Sequence, residues 1–209
     1  MKHPSPPPPK PAGGAPIDKL AWKPGNVLSP VPVVLVSCGG EGARPNIITI
    51  AWTGSICSDP AMLSISVRPE RYSFGLIEAT WEFVVNVPTS RQAKIVDWCG
   101  MVSGSRVDKF AETGLTPAPA LQVACPIILE CPINIECRVQ QLLPLGTHTL
   151  LLAEIVAVQV TSAFLDSRGK FRLDRAGLLA YGLGQYFALG PEIGRFGFSV
   201  RKPKRRPRS

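Results

Sequence analysis

Apolar and polar residues alternate with period two through much of this chain, and that alternation predicts strands. From Asn46 to Ser73, NIITIAWTGSICSDPAMLSISVRPERYS, two short strands flank a Ser58-Asp59-Pro60 turn. Proline after an Asx residue opens turns and has no place inside a paired strand. Parity sets Thr49, Ala51, Thr53 and Ser55 on one face of the first strand. In the second it separates Leu63, Ile65 and Val67 from Ser64, Ser66 and Arg68. Each strand thus has a face of small or hydroxyl-bearing side chains, and the second ends in a fixed positive charge. Such a face either meets water, as one side of an antiparallel sheet commonly does, or lies close against a flat, phosphorylated ligand.

The same reasoning extends along the chain. Val31–Ser37 and Glu82–Val87 read as strands, and Arg71–Thr80 as a short helix. Ser90–Trp98 has helical spacing, with Thr89 as N-cap and Gly100 just past the end. Val107–Glu112 makes a further turn that Gly114 stops. Pro126–Leu143 alternates strongly as a strand, and Thr147–Val160 is apolar on both parities, which predicts a barrel wall covered on each side, one of them by a second subunit. Asp174–Leu179 reads as the start of a short helix, and the glycine-rich 182–200 stretch as loop and short strand. The expected class is therefore mainly β with short helices, in one domain spanning 20–202, preceded by a Pro-rich flexible segment at 1–19 and followed by a basic tail at 203–209.

Charge changes this picture little. Of 23 Lys and Arg residues eight lie in the two ends, and the other 15 balance 15 acidic residues, so the net charge of +8 belongs to the ends. A neutral body argues against a broad nucleic-acid-binding face. The tail RKPKRRPRS could touch phosphates or an acidic partner, or simply aid solubility. No stretch reaches the ~18 consecutive apolar residues of a membrane span, and MKHPSPPPPKPAGGAP lacks the apolar core of a secretory signal, so a cytoplasmic protein is expected. Cys125, Cys131 and Cys137 are spaced by six, too far apart along a strand for disulfides, and no C-x-x-C pair accompanies the two histidines. Cys131 and Cys137 read as core residues, with Asn134, Glu136 and Arg138 pointing the other way, and no metal site is expected. Gly39-Gly40-Glu41-Gly42 and Gly182-Leu183-Gly184 do not complete a nucleotide-loop signature.

N-x-x-T-x-A-W-T-G at 46–54 and S-D-P-A-M-L-S-I-S-V-R-P-E-R-Y-S at 58–73 resemble the flavin reductase-like family, in particular its flavoredoxin-like branch. The likeness continues through E-F-V-V-N-V-P at 82–88, C-G-x-x-S-G-x-x-x-D-K-F at 99–110, G-T-H-T-L at 146–150 and G-Q-Y-F-A-L-G at 184–190. It implies an FMN-binding split β-barrel, a homodimer, and FMN as cofactor with NADH or NADPH as a transient cosubstrate, since no dinucleotide fold is present. Arg68, Ser73, Ser103 and Lys109 are then the candidates for the phosphate, because charge-assisted contacts suit it best. Thr49, Ile50, Ala51, Trp52 and Thr53 are candidates for the ring and its polar edge, joined by Ser66, Val67, Cys99 and Tyr186. Asn46 either contacts the cofactor or, like Asn86, ties segments together. His148 is either a catalytic donor beside the flavin or a structural residue at a strand start. The implied function is hydride transfer from NAD(P)H to bound FMN and onward to an acceptor. The alternatives are an electron carrier reduced by a partner protein, and a non-redox scaffold working through its basic tail.

Overall fold

The computed structural model describes residues 18–40 and 42–200; the expected tail at 203–209 and all but the last two residues of the Pro-rich segment lie outside them. The chain divides into two units. One, Val27–Leu189, holds nearly all the regular structure. In the other, the described residues are 18–26 and 190–200, with a single 3-10 turn at Phe198–Val200 and an Arg195–Glu192 ion pair of 2.9 Å.

Strand β1 (Val31–Pro32) is followed after one residue by β2 (Val34–Cys38), and a turn leads to β3 (Asn46–Ile50). Then come β4 (Thr53–Ser58), β5 (Ala61–Val67), helix α1 (Tyr72–Thr80) and β6 (Glu82–Val87). A 3-10 turn at Ser90–Gln92 runs into α2 (Ala93–Met101), and α3 (Lys109–Thr113) follows. Short strands β7 (Pro117–Ala118) and β8 (Ile127–Ile128) precede the two long ones, β9 (Ile133–Pro144) and β10 (Thr149–Val160). The unit ends with α4 (Leu173–Ala176), β11 (Leu179–Gly182) and β12 (Gln185–Ala188).

The main sheet has seven strands in the order β3-β2-β6-β9-β10-β5-β4. Its two edges, β3 and β4, are joined by Ala51 and Trp52 alone. Two residues span less than about 10 Å, so the sheet must curl until its edges meet, and the Ser66 N–H donates to the Trp52 carbonyl at 2.9 Å in the seam. This is a barrel split along one line. Alternation then sorts the core. Val34, Val36, Ile48, Ile50, Leu63, Ile65, Val67 and Leu151 pack inside, with Phe83 and Cys137. Val33, Leu35 and Ile47 point outward under α2 and α3, beside Val96, Phe110 and Cys131.

Several expectations need correction. The 46–58 stretch is two strands on opposite edges, so the parity running from Thr49 to Ser55 breaks at Ala51. The first strand is divided at Val33, and the long one before Leu143 at Leu129–Pro132. Gly100 does not end α2 but lies within it, because that helix packs directly on β3; a Cβ there would stand 3.3 Å from Thr49 Cβ. The helix expected at Asp174–Leu179 stops at Ala176, where Gly177 takes a left-handed conformation. The expectation for β10 is not among these: Thr149, Leu151 and Ala153 are buried by this chain, and the other parity, the side expected to meet a second subunit, is half-exposed, with Val158 53% exposed. The face of β9 carrying Asn134 and Glu136 is buried despite its polarity. Glu136 accepts from the Leu121 and Gln122 N–H groups (2.9 and 2.7 Å) and from Gln159 Nε2 (3.0 Å), which roofs it with the 119–125 segment.

Candidate functional site

Where the sheet edges meet, two adjoining clefts open. The first, about 350 Å³, runs along Thr49–Trp52, the Ser66–Arg68 end of β5, His148, and Tyr181 and Tyr186 of the β11–β12 hairpin. The second, about 330 Å³, is lined by Asn46, Arg68, Arg71, Ser73, the end of α2 and the loop to Lys109. Ile48, Arg68 and Arg71 border both, so the two form one elongated depression. Its size falls in the range of small-molecule sites.

The first cleft is aromatic. The Trp52 and His148 rings lie 4.5 Å apart with 44° between their planes, and Tyr181 meets Tyr186 edge-on at 5.3 Å. Tyr186 is anchored from below: its hydroxyl donates to Asp97 Oδ1 of α2 at 3.0 Å. Burial, then that carboxylate, pushes the phenol up to about 12, so it stays protonated and remains a donor. His148 Nδ1 is bonded to Thr147 Oγ1 at 2.9 Å, which leaves Nε2 as the ring's second polar atom. Desolvation, followed by the Arg68 charge, holds its pKa below the ordinary 6.5, so the imidazole is neutral at pH 7.

The second cleft is cationic and hydroxyl-bearing. Arg68, about half exposed, pairs with Glu70 at 3.1 Å. Arg71 occupies the N-cap position of α1 without a side-chain cap bond, and the first residues of that helix, Tyr72 and Ser73, line the cleft beside it. The positive end of a helix favours an anion there. Buried Asn46 donates to Ser73 Oγ at 2.8 Å. Ser103 Oγ lies 2.9 Å from Ser105 Oγ. At the floor, Lys109 is only 2% exposed, and its Nζ donates to the Ile47 and Cys99 carbonyls at 2.7 and 2.6 Å. Burial lowers its pKa, while burial raises that of the neighbouring Cys99 thiol to about 11 and keeps it un-ionised.

Of the sequence candidates, Thr49, Ile50, Ala51, Trp52, Ser66, Val67, Tyr186 and His148 line the first cleft, and Asn46, Ser73, Cys99, Ser103 and Lys109 the second, with Arg68 in both. Thr53 lines neither: the chain has crossed the seam by then, and Thr53 pairs with Ile65 in the β4–β5 ladder. Lys109 differs from a surface cation, since two of its three N–H donors are committed to backbone. Sequence reasoning missed Arg71 and Tyr181. For Arg71 a signal existed, because it stands three residues beyond Arg68, just where the strand hands over to the helix. For Tyr181 there was none, as its strand is four residues long.

Comparison with known proteins agrees with this fold. Flavoredoxin of Desulfovibrio vulgaris (Miyazaki F) superposes with a TM-score of 0.80 and 28% identity, over 85% of this chain and 96% of its own. Flavoredoxin from Methanosarcina acetivorans gives a TM-score of 0.80 and 27% identity, over 88% and 100%. An uncharacterised protein of Archaeoglobus fulgidus is 36% identical over 141 residues, 68% of this chain and 78% of its own length. The NADPH-flavin oxidoreductase of Streptomyces viridifaciens is 27% identical over 139 residues, 66% of each chain. The pattern of the flavin reductase-like domain covers residues 28–189, and the chain belongs to that family.

Proposed function

We propose that the double cleft binds FMN and that the protein moves electrons from NADH or NADPH through it to an acceptor. One observation carries the reading: an aromatic, flat-walled cleft adjoins a cationic, hydroxyl-bearing one, with Arg68 and Arg71 at the junction. That is the division a tricyclic ring with a phosphorylated side chain requires. Arg68, Arg71, Ser73 and the start of α1 would hold the phosphate, with Ser103 and Lys109 beside them. Trp52, Tyr181 and Tyr186 would wall the ring and exclude water. The strand end from Thr49 to Ala51 would offer backbone groups to its polar edge, and neutral His148 a hydrogen bond. FMN, when bound, supplies the redox chemistry, while the protein supplies placement and polarity.

The flavoredoxin likeness favours a second reading, in which the same site serves an electron carrier reduced by a partner protein. Anaerobic mixing of the FMN-loaded protein with NADH or NADPH separates the two. Rapid bleaching of the flavin supports the reductase; bleaching by a ferredoxin-type protein but by neither nucleotide supports the carrier. A soluble nicotinamide donor fits a cytoplasmic protein, and among the described residues no helix is long and apolar enough to cross a membrane. The protein is further proposed to dimerise. Ile56 on the β4 edge and Val158 and Val160 on β10 are 47%, 53% and 40% exposed, apolar side chains of the kind that a second copy would cover. Sedimentation at a monomer's mass at micromolar concentration would exclude it.

A further inference from the structure

We infer that Arg44 is a positioning residue for the anion-binding end of the site, acting by clamping the loop 103–108 and not by meeting the anion. This deepens the proposed FMN reading and rests on it. Arg44 lies in the turn between β2 and β3 and lines neither cleft. Its Nη2 reaches 60 residues along the chain to donate to the Gly104 carbonyl at 2.7 Å, and also to the Val107 carbonyl at 3.1 Å. Both acceptors lie within the loop that begins at Ser103 and leads into Asp108 and Lys109.

The loop has little else to fix it. Its internal bonds are Arg106 N–H to the Ser103 carbonyl at 3.2 Å and the contacts between Ser103 and Ser105. At the loop's end Asp108 is the N-cap of α3, and its carboxylate accepts from the Phe110 and Ala111 N–H groups at 3.0 and 3.1 Å. The guanidinium presses the loop down on β3. Gly104 is buried and so close to Asn46 that a Cβ at position 104 would stand 1.9 Å from Asn46 Oδ1. Asn46 in turn donates to Ser73 Oγ at the start of α1. Arg44, Gly104, Asn46 and Ser73 therefore form one train of contacts that sets three wall segments of the second cleft at a common spacing. Arg44 contributes a charged nitrogen, Nη2, that donates to both loop carbonyls, and the lack of a side chain at Gly104 allows the close approach to Asn46.

The test compares FMN with riboflavin, which lacks the phosphate, at several salt concentrations, in the wild type, Arg44→Ala and Gly104→Ala. Amide hydrogen exchange of 103–108 is followed in the same three flavin-free proteins. Arg44→Ala is expected to weaken FMN binding about tenfold, the order of one lost charge-assisted hydrogen bond, and riboflavin binding by less than about twofold; Gly104→Ala, which pushes on Asn46, is expected to lower FMN affinity in the same direction. The FMN loss in Arg44→Ala persists from low to high salt with the wild-type slope, and 103–108 exchanges faster. FMN affinity unchanged in Arg44→Ala overturns the inference. So does a loss that vanishes at high salt, which would make Arg44 a long-range charge, or an equal loss for riboflavin, which would make it general scaffold. A wild type that binds FMN no better than riboflavin overturns the phosphate assignment itself and this inference with it. In the first three cases that assignment stands.

Discussion

Lys109→Met tests how the site's floor is built. Met has nearly the length of Lys but no donor, so the substitution strips a 2%-exposed ammonium from the Ile47 and Cys99 carbonyls. Two opposed effects follow. Each carbonyl left without a partner costs about 1–3 kcal/mol. Against this, the folded protein no longer carries a charge out of water, a cost already visible in the lowered Lys109 pKa, and relief of buried charge is worth about 1–2 kcal/mol when packing is kept. The carbonyl term wins, because both acceptors belong to the elements Lys109 joins, β3 and α2. A net loss of about 2–3 kcal/mol is expected, read in urea unfolding as a lower midpoint with unchanged slope. For a chain of this size the melting temperature would fall by roughly 4–12 °C. The pH dependence has a definite sign. Folding lowers this pKa, so the unfolded chain holds more protons between the folded value and the ordinary 10.5. Wild-type stability relative to Lys109→Met must therefore rise with pH through that window. A variant as stable as wild type, within about 0.5 kcal/mol, would refute the reasoning, since the two carbonyls would then not depend on Nζ.

Arg71→Ala should weaken FMN by about 1.5–3 kcal/mol and leave riboflavin nearly untouched, if its guanidinium faces the phosphate; equal affinity for both flavins in wild type and variant would contradict it. Asn86→Leu should cost about 3 kcal/mol or more in urea unfolding. The amide donates to the Leu35 carbonyl and Ser37 Oγ and accepts from Ile128 N–H and Asn134 Nδ2, all buried; an unmoved unfolding midpoint would refute this. His148, one of two histidines in the chain, should titrate below pH 6.5 by NMR. Its midpoint should move up in Arg68→Ala, because that charge disfavours the imidazolium; a midpoint at or above the ordinary value would contradict the cleft's polarity.

Much of the fold was legible because β5 and β6 obey local rules. Leu63, Ile65 and Val67 alternate inward, Glu82–Val87 forms the expected strand, and Gly114 stops α3 with φ of 68°. The seam was not legible. Period-two patterning says which way a side chain points but not which strand lies beside it, so Ala51–Trp52 reads as mid-strand although it joins opposite edges of the sheet. Glu136 deceived for a related reason: a carboxylate reads as solvent-facing until the backbone N–H groups of Leu121 and Gln122 are brought to it by a distant segment. Gly100 matched a helix stop, yet its purpose is close approach to Thr49. At the site, side chains on β3 and β5 could be named in advance because the motifs fall there. Tyr181 and the Arg44 clamp could not, since each depends on contacts between segments far apart in sequence.

The central claim is that the paired clefts take FMN with its phosphate between Arg68, Arg71 and Ser73 and its ring beside Trp52 and Tyr181. A crystal structure of the protein grown with FMN tests it most directly. The account predicts density for the flavin in that orientation, one molecule per chain. Density for the phosphate at the aromatic end, or no flavin in the depression at saturating concentration, would contradict it.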